Sequence, residues 1–330
     1  MLRATRPFFI TLACSWAALL IAALVLSQQH PHSHWIMTAV LPAFLLEAIF
    51  YLGAIFAETR AAFARLRPEL VQGALLWMSA LAPYAIFSLS AGTFHARAFS
   101  VLILITGVFS FWFVLLPRRL AYDIGFLVIA AAPLVTEAFH SIYLSPDKNL
   151  EGIAILGQLM WIRVGVIALL LFRNWDPGPF GFWPDWREWK IGIAWYAASI
   201  VPLAAISVAI GQSHFKPIDT EWWRATLIGI GTFFAFLWVV TLGGELFFRG
   251  FIERALLNIQ KSRLLAVVIS SVVFGCAHLW FRHFPDWREA LVAGVLGIAC
   301  GYAYAQAKSI RAPMVTHAFV VVTWRILFRG

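Results

Sequence analysis

The sequence predicts an all-α fold, a polytopic integral membrane protein with about eleven transmembrane helices. Three observations carry that prediction. Of 330 residues, 62% are hydrophobic and only 12% charged, where roughly a quarter is charged in a water-soluble domain. The apolar residues fall in runs of about 20, the length that crosses a bilayer as a helix. The runs are too long for strands and lack the period-two alternation of a membrane barrel, which excludes sheet.

The first run, residues 8–27, follows Arg3 and Arg6. It exceeds the roughly 7 to 15 residues of a secretory signal core and no A-x-A pattern follows, so it reads as a retained helix. In the loop after it, His30, His32 and His34 alternate. Pro31 and the lack of a carboxylate argue for a polar turn beside Trp35 rather than a metal cage. The remaining runs cover 35–57, 70–90, 98–117, 123–143, 152–172, 190–210, 225–248, 264–281, 289–307 and 312–328. Pro42, Pro83, Pro133 and Pro202 lie inside four of them, where proline kinks a helix.

Lys and Arg total 25 against 16 Asp and Glu, a formal charge of +9. The cations sit between apolar runs, which points to membrane topology and not to a nucleic-acid partner. With the N-terminus inside, the inner segments hold sixteen of them and the outer segments eight, while Arg163 lies within a span. That bias places the N-terminus in the cytoplasm and the chain in an inner (plasma) membrane of bacterial type. Cys14, Cys276 and Cys300 all lie in apolar runs and read as small buried hydrophobes, with no disulfide framework or CxxC site.

Between spans six and seven runs NWDPGPFGFWPDWREWK, residues 174–190. Its Pro and Gly break helices and its Trp and Arg favour the headgroup layer. The expected organisation is a six-helix bundle over 1–173, an interfacial connection over 174–189, and a five-span C-terminal unit over 190–330.

Ionisable side chains within a bilayer are expensive, so they are functional candidates until paired. The C-terminal unit holds three: Glu245 in GGELFFRGF, His278 in VVFGCAHLW and His317 in APMVTHAFVV. Glu245 and His278 lie at similar distances either side of the turn near 258–262, roughly 20 Å from it at 1.5 Å per residue, so they can meet at one depth. The segment IERALLNIQKSR carries Glu253, Arg254, Lys261 and Arg263 on an amphipathic extension expected to project into the cytosol. Pro313 suits a first helical turn and brings His317 in from the same side. A carboxylate with two imidazoles hydrolyses an amide either by general-base activation of water with oxyanion stabilisation, or by holding a divalent metal that acidifies the water. The plainer alternative is structural: Glu245 and Arg249 stand at i and i+4, a spacing that neutralises both charges within one helix. On span ten, Ala293, Gly297, Gly301 and Ala305 form a small-residue face for close helix contact.

At these residues the chain resembles the CAAX protease and bacteriocin-processing family of intramembrane proteases, the group related to the prenyl-protein endopeptidase. That family carries EExxxR on one helix, FxxxH on the next, and HxxxN or HxxxD on a later one. Here Glu245 to Arg249 matches the second Glu and the Arg, Phe274 and His278 match the second motif, and His317 opens the third. The resemblance spans about residues 225–328. In two places the chain departs: Gly244 stands where the family has the Glu usually assigned as water-activating base, and Val321 where it has Asn. The resemblance implies an endopeptidase acting on a membrane-proximal, C-terminal segment of a protein. Its implied catalytic residues are Glu245, His278 and His317, supported by Arg249 and Phe274, with Gly243, Gly244 and Gly250 leaving room for Glu245 to act as base in a variant site. The cofactor stays open between none and a divalent metal such as zinc on Glu245, His278 and His317. The expected partners are a membrane-associated protein or peptide and the lipid bilayer.

Three further readings stand beside this one. Gly244 and Val321 favour a catalytically impaired relative acting as a membrane binding or scaffold protein. A transporter would show internal repeats with paired broken helices, and none is seen. A thiol protease using Cys276 and His278 fails because residues two apart on a helix do not face each other.

Overall fold

Residues 2–29, 35–145 and 152–329 are described by a computed structural model; His30, His32, His34 and Lys148 lie outside them. Each of the eleven expected runs contains a helix. Among the described residues, eight helices are long and apolar enough to cross a membrane: Arg6–Gln28 within α1 (Leu2–Gln29), α2 (Ile36–Ile55), α4 (Glu69–Ala91), α5 (Ala96–Leu115), α8 (Ala154–Phe172), α9 (Trp186–Ala209), α10 (Trp222–Gln260) and α12 (Trp287–Ala307). The other three runs form shorter helices. These are α6 (Leu120–Val135), followed by the single turn α7 (Ala138–Ile142); α11 (Arg263–Cys276); and α13 (Arg311–Leu327). A short helix α3 (Ala57–Phe63) follows α2. Sheet was excluded, yet a two-residue antiparallel pair joins β1 (His214–Phe215) to β2 (Phe328–Arg329). It lies between helix ends, where backbone groups freed at the termini find partners across the ribbon.

The chain divides into two compact units, Met1–Trp175 and Asp176–Gly330. In the first, α2 and α8 are tied by a fully buried ion pair. Arg163 Nε lies 2.6 Å from Glu47 Oε1, and the rest of the guanidinium donates to the hydroxyl and carbonyl of Ser79 on α4. Both intramembrane charges are thereby matched, as burial demands. Glu137 sits instead, exposed, at the break between α6 and α7, where it takes a left-handed backbone conformation, and His140 is exposed on α7.

In the second unit, residues 176–185 run without helix, held by Tyr304 donating to the Pro177 carbonyl and by an Arg254–Asp176 pair at 2.8 Å. Helix α9 begins at Trp186, four residues before the expected span. Asp185 accepts from the Glu188 amide while Glu188 reaches back to the Asp185 amide, a capping box that starts the helix within the Trp-rich segment. Helices α11 and α12 pack with their backbones close together. A Cβ at Gly297 would meet Ser271 Cα at 3.0 Å, and one at Gly301 would meet Val267 at 2.8 Å. On the other side, α9 meets α13 where the Thr316 hydroxyl donates to the Gly192 carbonyl.

Candidate active site

Helix α10 places the first residue by changing its pitch. Residues Thr241–Glu245 are α-helical, and Leu246–Glu253 continue as π-helix, whose i→i+5 bonds widen the turn. Glu245 stands at that junction, 0% exposed. The widened turns keep residues four apart nearly aligned, so Arg249, also 0% exposed, faces the same way. Its Nε lies 3.2 Å from Glu245 Oε2, and its Nη2 donates to the Gly297 carbonyl on α12 at 2.8 Å. The Nε–H is not aimed at the carboxylate, so Oε2, Nε and Nη1 are in charge contact but lack hydrogen-bond partners.

The opposite oxygen of the carboxylate meets α13: His317 Nδ1 lies 2.9 Å from Glu245 Oε1. His278 arrives differently. Helix α11 ends at Cys276, not 281, and His278 sits in the turn beyond it. Its Nδ1 lies 2.8 Å from the Phe274 carbonyl, one of the acceptors that a helix end leaves free. The four-residue spacing of Phe274 and His278 is thus a cap on α11. The Phe274 ring stands between the two imidazoles, 4.6 Å from that of His278 and edge-on to His317 at 5.6 Å. The Arg249 guanidinium lies over the same ring at 4.7 Å. Glu245, Arg249 and His317 are therefore in direct contact, and His278 joins them only across Phe274.

Two residues of the surroundings escaped the sequence reading. Cys300 Sγ, a carboxylate oxygen of Glu245 and a ring nitrogen of His317 all lie within 4.8 Å of one another, so the thiol read as a plain hydrophobe lines the site. Glu253, expected on a cytosolic face, is instead 3% exposed and accepts from Ser270 at 3.2 Å. It is accommodated because residue 301 has no side chain: a Cβ there would stand 3.0 Å from Glu253 Oε2. No local signal in the sequence marks either residue, because both contacts come from α11 and α12 closing on α10. At the two departures from the family pattern, a Cβ on Gly244 would meet nothing within 4 Å, and Val321 is half-buried.

The donor set that comes together is Glu245, Cys300 and His317, and it suits a metal poorly. Arg249 already holds a positive charge 3.2 Å from the carboxylate, where an ion would be repelled. His278 is not among the donors that come together.

The chain matches no curated protein and no solved structure. Residues 225–323 match the family model described as Rce1-like, type II CAAX prenyl endopeptidase. That range begins in α10 and ends in α13, and so holds Glu245, Arg249, Phe274, His278 and His317. Through these residues, the region 225–323 is similar to the Rce1-like CAAX prenyl endopeptidases, within an all-helical chain whose apolar helices mark a multi-pass membrane protein.

Proposed function

We propose that this protein is an intramembrane endopeptidase of CAAX type. It hydrolyses a peptide bond in a membrane-proximal, C-terminal segment of a membrane-associated protein. Glu245, His278 and His317 carry the reaction, Arg249 holds Glu245, and Phe274 sets the spacing of the two imidazoles. The observation that supports this best is the buried contact of Glu245 with His317 inside the family-matched region. An imidazole fixed by a carboxylate is a means of activating water, and a second imidazole nearby can steady the charge that develops on the carbonyl oxygen. The surroundings are an inner or plasma membrane with the N-terminus in the cytoplasm, and the six-helix N-terminal bundle precedes the catalytic unit.

A second reading has its own support. Gly244 removes a carboxylate from the family pattern, which fits a silent relative that binds membrane proteins without cutting them. The test compares peptide termini in membranes of cells carrying the wild type or His317→Gln at matched expression. Longer C-terminal tails appearing only with the variant are the result expected of a protease. Identical termini with His278→Gln and Glu245→Gln as well would leave the binding reading in its place.

A further inference from the structure

Resting on the endopeptidase reading, we infer that the group taking the proton from water is Nε2 of His317, oriented by Glu245, and not the carboxylate of Glu245 itself. Three observations point the same way. The first is access: Glu245 is 0% exposed and its Oε2 fully enclosed, whereas the His317 side chain keeps 10% of its surface open. A base must reach the proton it takes, within about 3 Å or through one water.

The second is occupancy of the carboxylate. Its Oε1 faces His317 at 2.9 Å and its Oε2 faces Arg249 at 3.2 Å. A carboxylate set against a guanidinium is an acceptor, so the shared proton on the Oε1 side belongs to His317 Nδ1. An imidazole whose Nδ1–H is donated has its lone pair on Nε2. This is the arrangement in which a buried acid fixes the tautomer of a histidine and balances the imidazolium that forms.

The third is what the sequence withholds. Gly244 offers no carboxylate, and the space where its Cβ would stand is open to 4 Å. The neighbouring histidine does not fill the gap by the same route. His278 donates Nδ1–H to a neutral carbonyl, and no negative charge waits there to balance a proton gained on Nε2. Of the two imidazoles, only His317 is backed by an anion.

The water oxygen forms its bond to the scissile carbonyl carbon as one water proton passes to His317 Nε2, and the carbonyl electron pair moves to oxygen. When the tetrahedral carbon releases its nitrogen, the C–N electron pair takes that proton, leaving a carboxylic acid and an amine and restoring neutral His317. Glu245 is the positioning residue throughout and keeps its own charge.

The experiment is nitrogen-15 NMR of the full chain in lipid nanodiscs with labelled histidine, the His317 signal being assigned by its loss in His317→Gln. The expected wild-type spectrum shows His317 protonated at Nδ1 with a bare Nε2. The companion measurement is cleavage of the substrate found by comparing termini. Glu245→Gln should lower kcat by about 10³- to 10⁴-fold with KM little changed, as when the acid behind a catalytic histidine is made an amide. Should Glu245→Gln not fold, the wild-type spectrum still decides. A His317 protonated at Nε2 in a chain that cleaves overturns the base assignment alone. The expected tautomer in a chain that cleaves nothing overturns the endopeptidase reading, and the base role with it.

Discussion

At the residue scale, the site is governed by how few partners its charges have. Arg249 pairs with one carboxylate, that of Glu245, donates to one carbonyl and lies over the Phe274 ring, while its Nε and Nη1 have no hydrogen-bond partner. Arg249→Met should therefore destabilise the unit by about 3–5 kcal/mol, the usual result of leaving a buried charge unmatched. It would be read as a lowered thermal midpoint in detergent. Arg249→Lys should recover little, since an ammonium lacks the planar fork that reaches both the carboxylate and the Gly297 carbonyl. The Glu47–Arg163 pair makes a contrasting case: each single alanine variant should lose a similar amount, while Glu47→Met combined with Arg163→Met should come back close to wild type. Of these contacts, the i and i+4 spacing of Glu245 and Arg249 was legible in the sequence. The link from Glu47 to Arg163 was not, because 116 residues separate them and no local rule joins two charges across different helices.

At the scale of elements, helix starts were more legible than helix ends. Asp185 and Glu188 spell out a capping box, and Asp185→Ala should cost about 1 kcal/mol through the loss of that cap. The end of α11 was hidden, because apolar residues continue past Cys276 and only the ring of His278 shows where the backbone bonds stop. The small-residue face of α12 announced a close contact but not its partner. With the partner known to be α11, Gly297→Val should separate the two helices and unfold the unit at lower temperature by the equivalent of roughly 1–3 kcal/mol, since its Cβ would press on backbone. Gly301→Val adds pressure on Glu253, a carboxylate with one serine donor, and should do at least as much harm.

At the scale of the whole molecule, composition fixed the class, and the periodic placement of cations gave an orientation that can be tested directly. With the native cysteines replaced, a cysteine at Lys261 or Lys308 should react with a membrane-impermeant reagent only when the cytoplasmic face is opened. One at Lys216 should react in intact cells, and the reverse pattern would invert the topology. The family match, by contrast, covers residues 225–323 alone, so it reports on part of the second unit and leaves 1–175 to be understood by itself. The widened turns of α10 have a last consequence, for insertions and deletions. A π-turn closes over one residue more than an α-turn, so the stretch Leu246–Glu253 carries slack that an ordinary helix lacks. Removing Phe247 would let the backbone tighten to α pitch, leave Glu245 and the shifted arginine three apart and still adjacent, and spare the helix beyond. The same deletion in α12, which has no such reserve, would turn every later side chain by about 100°.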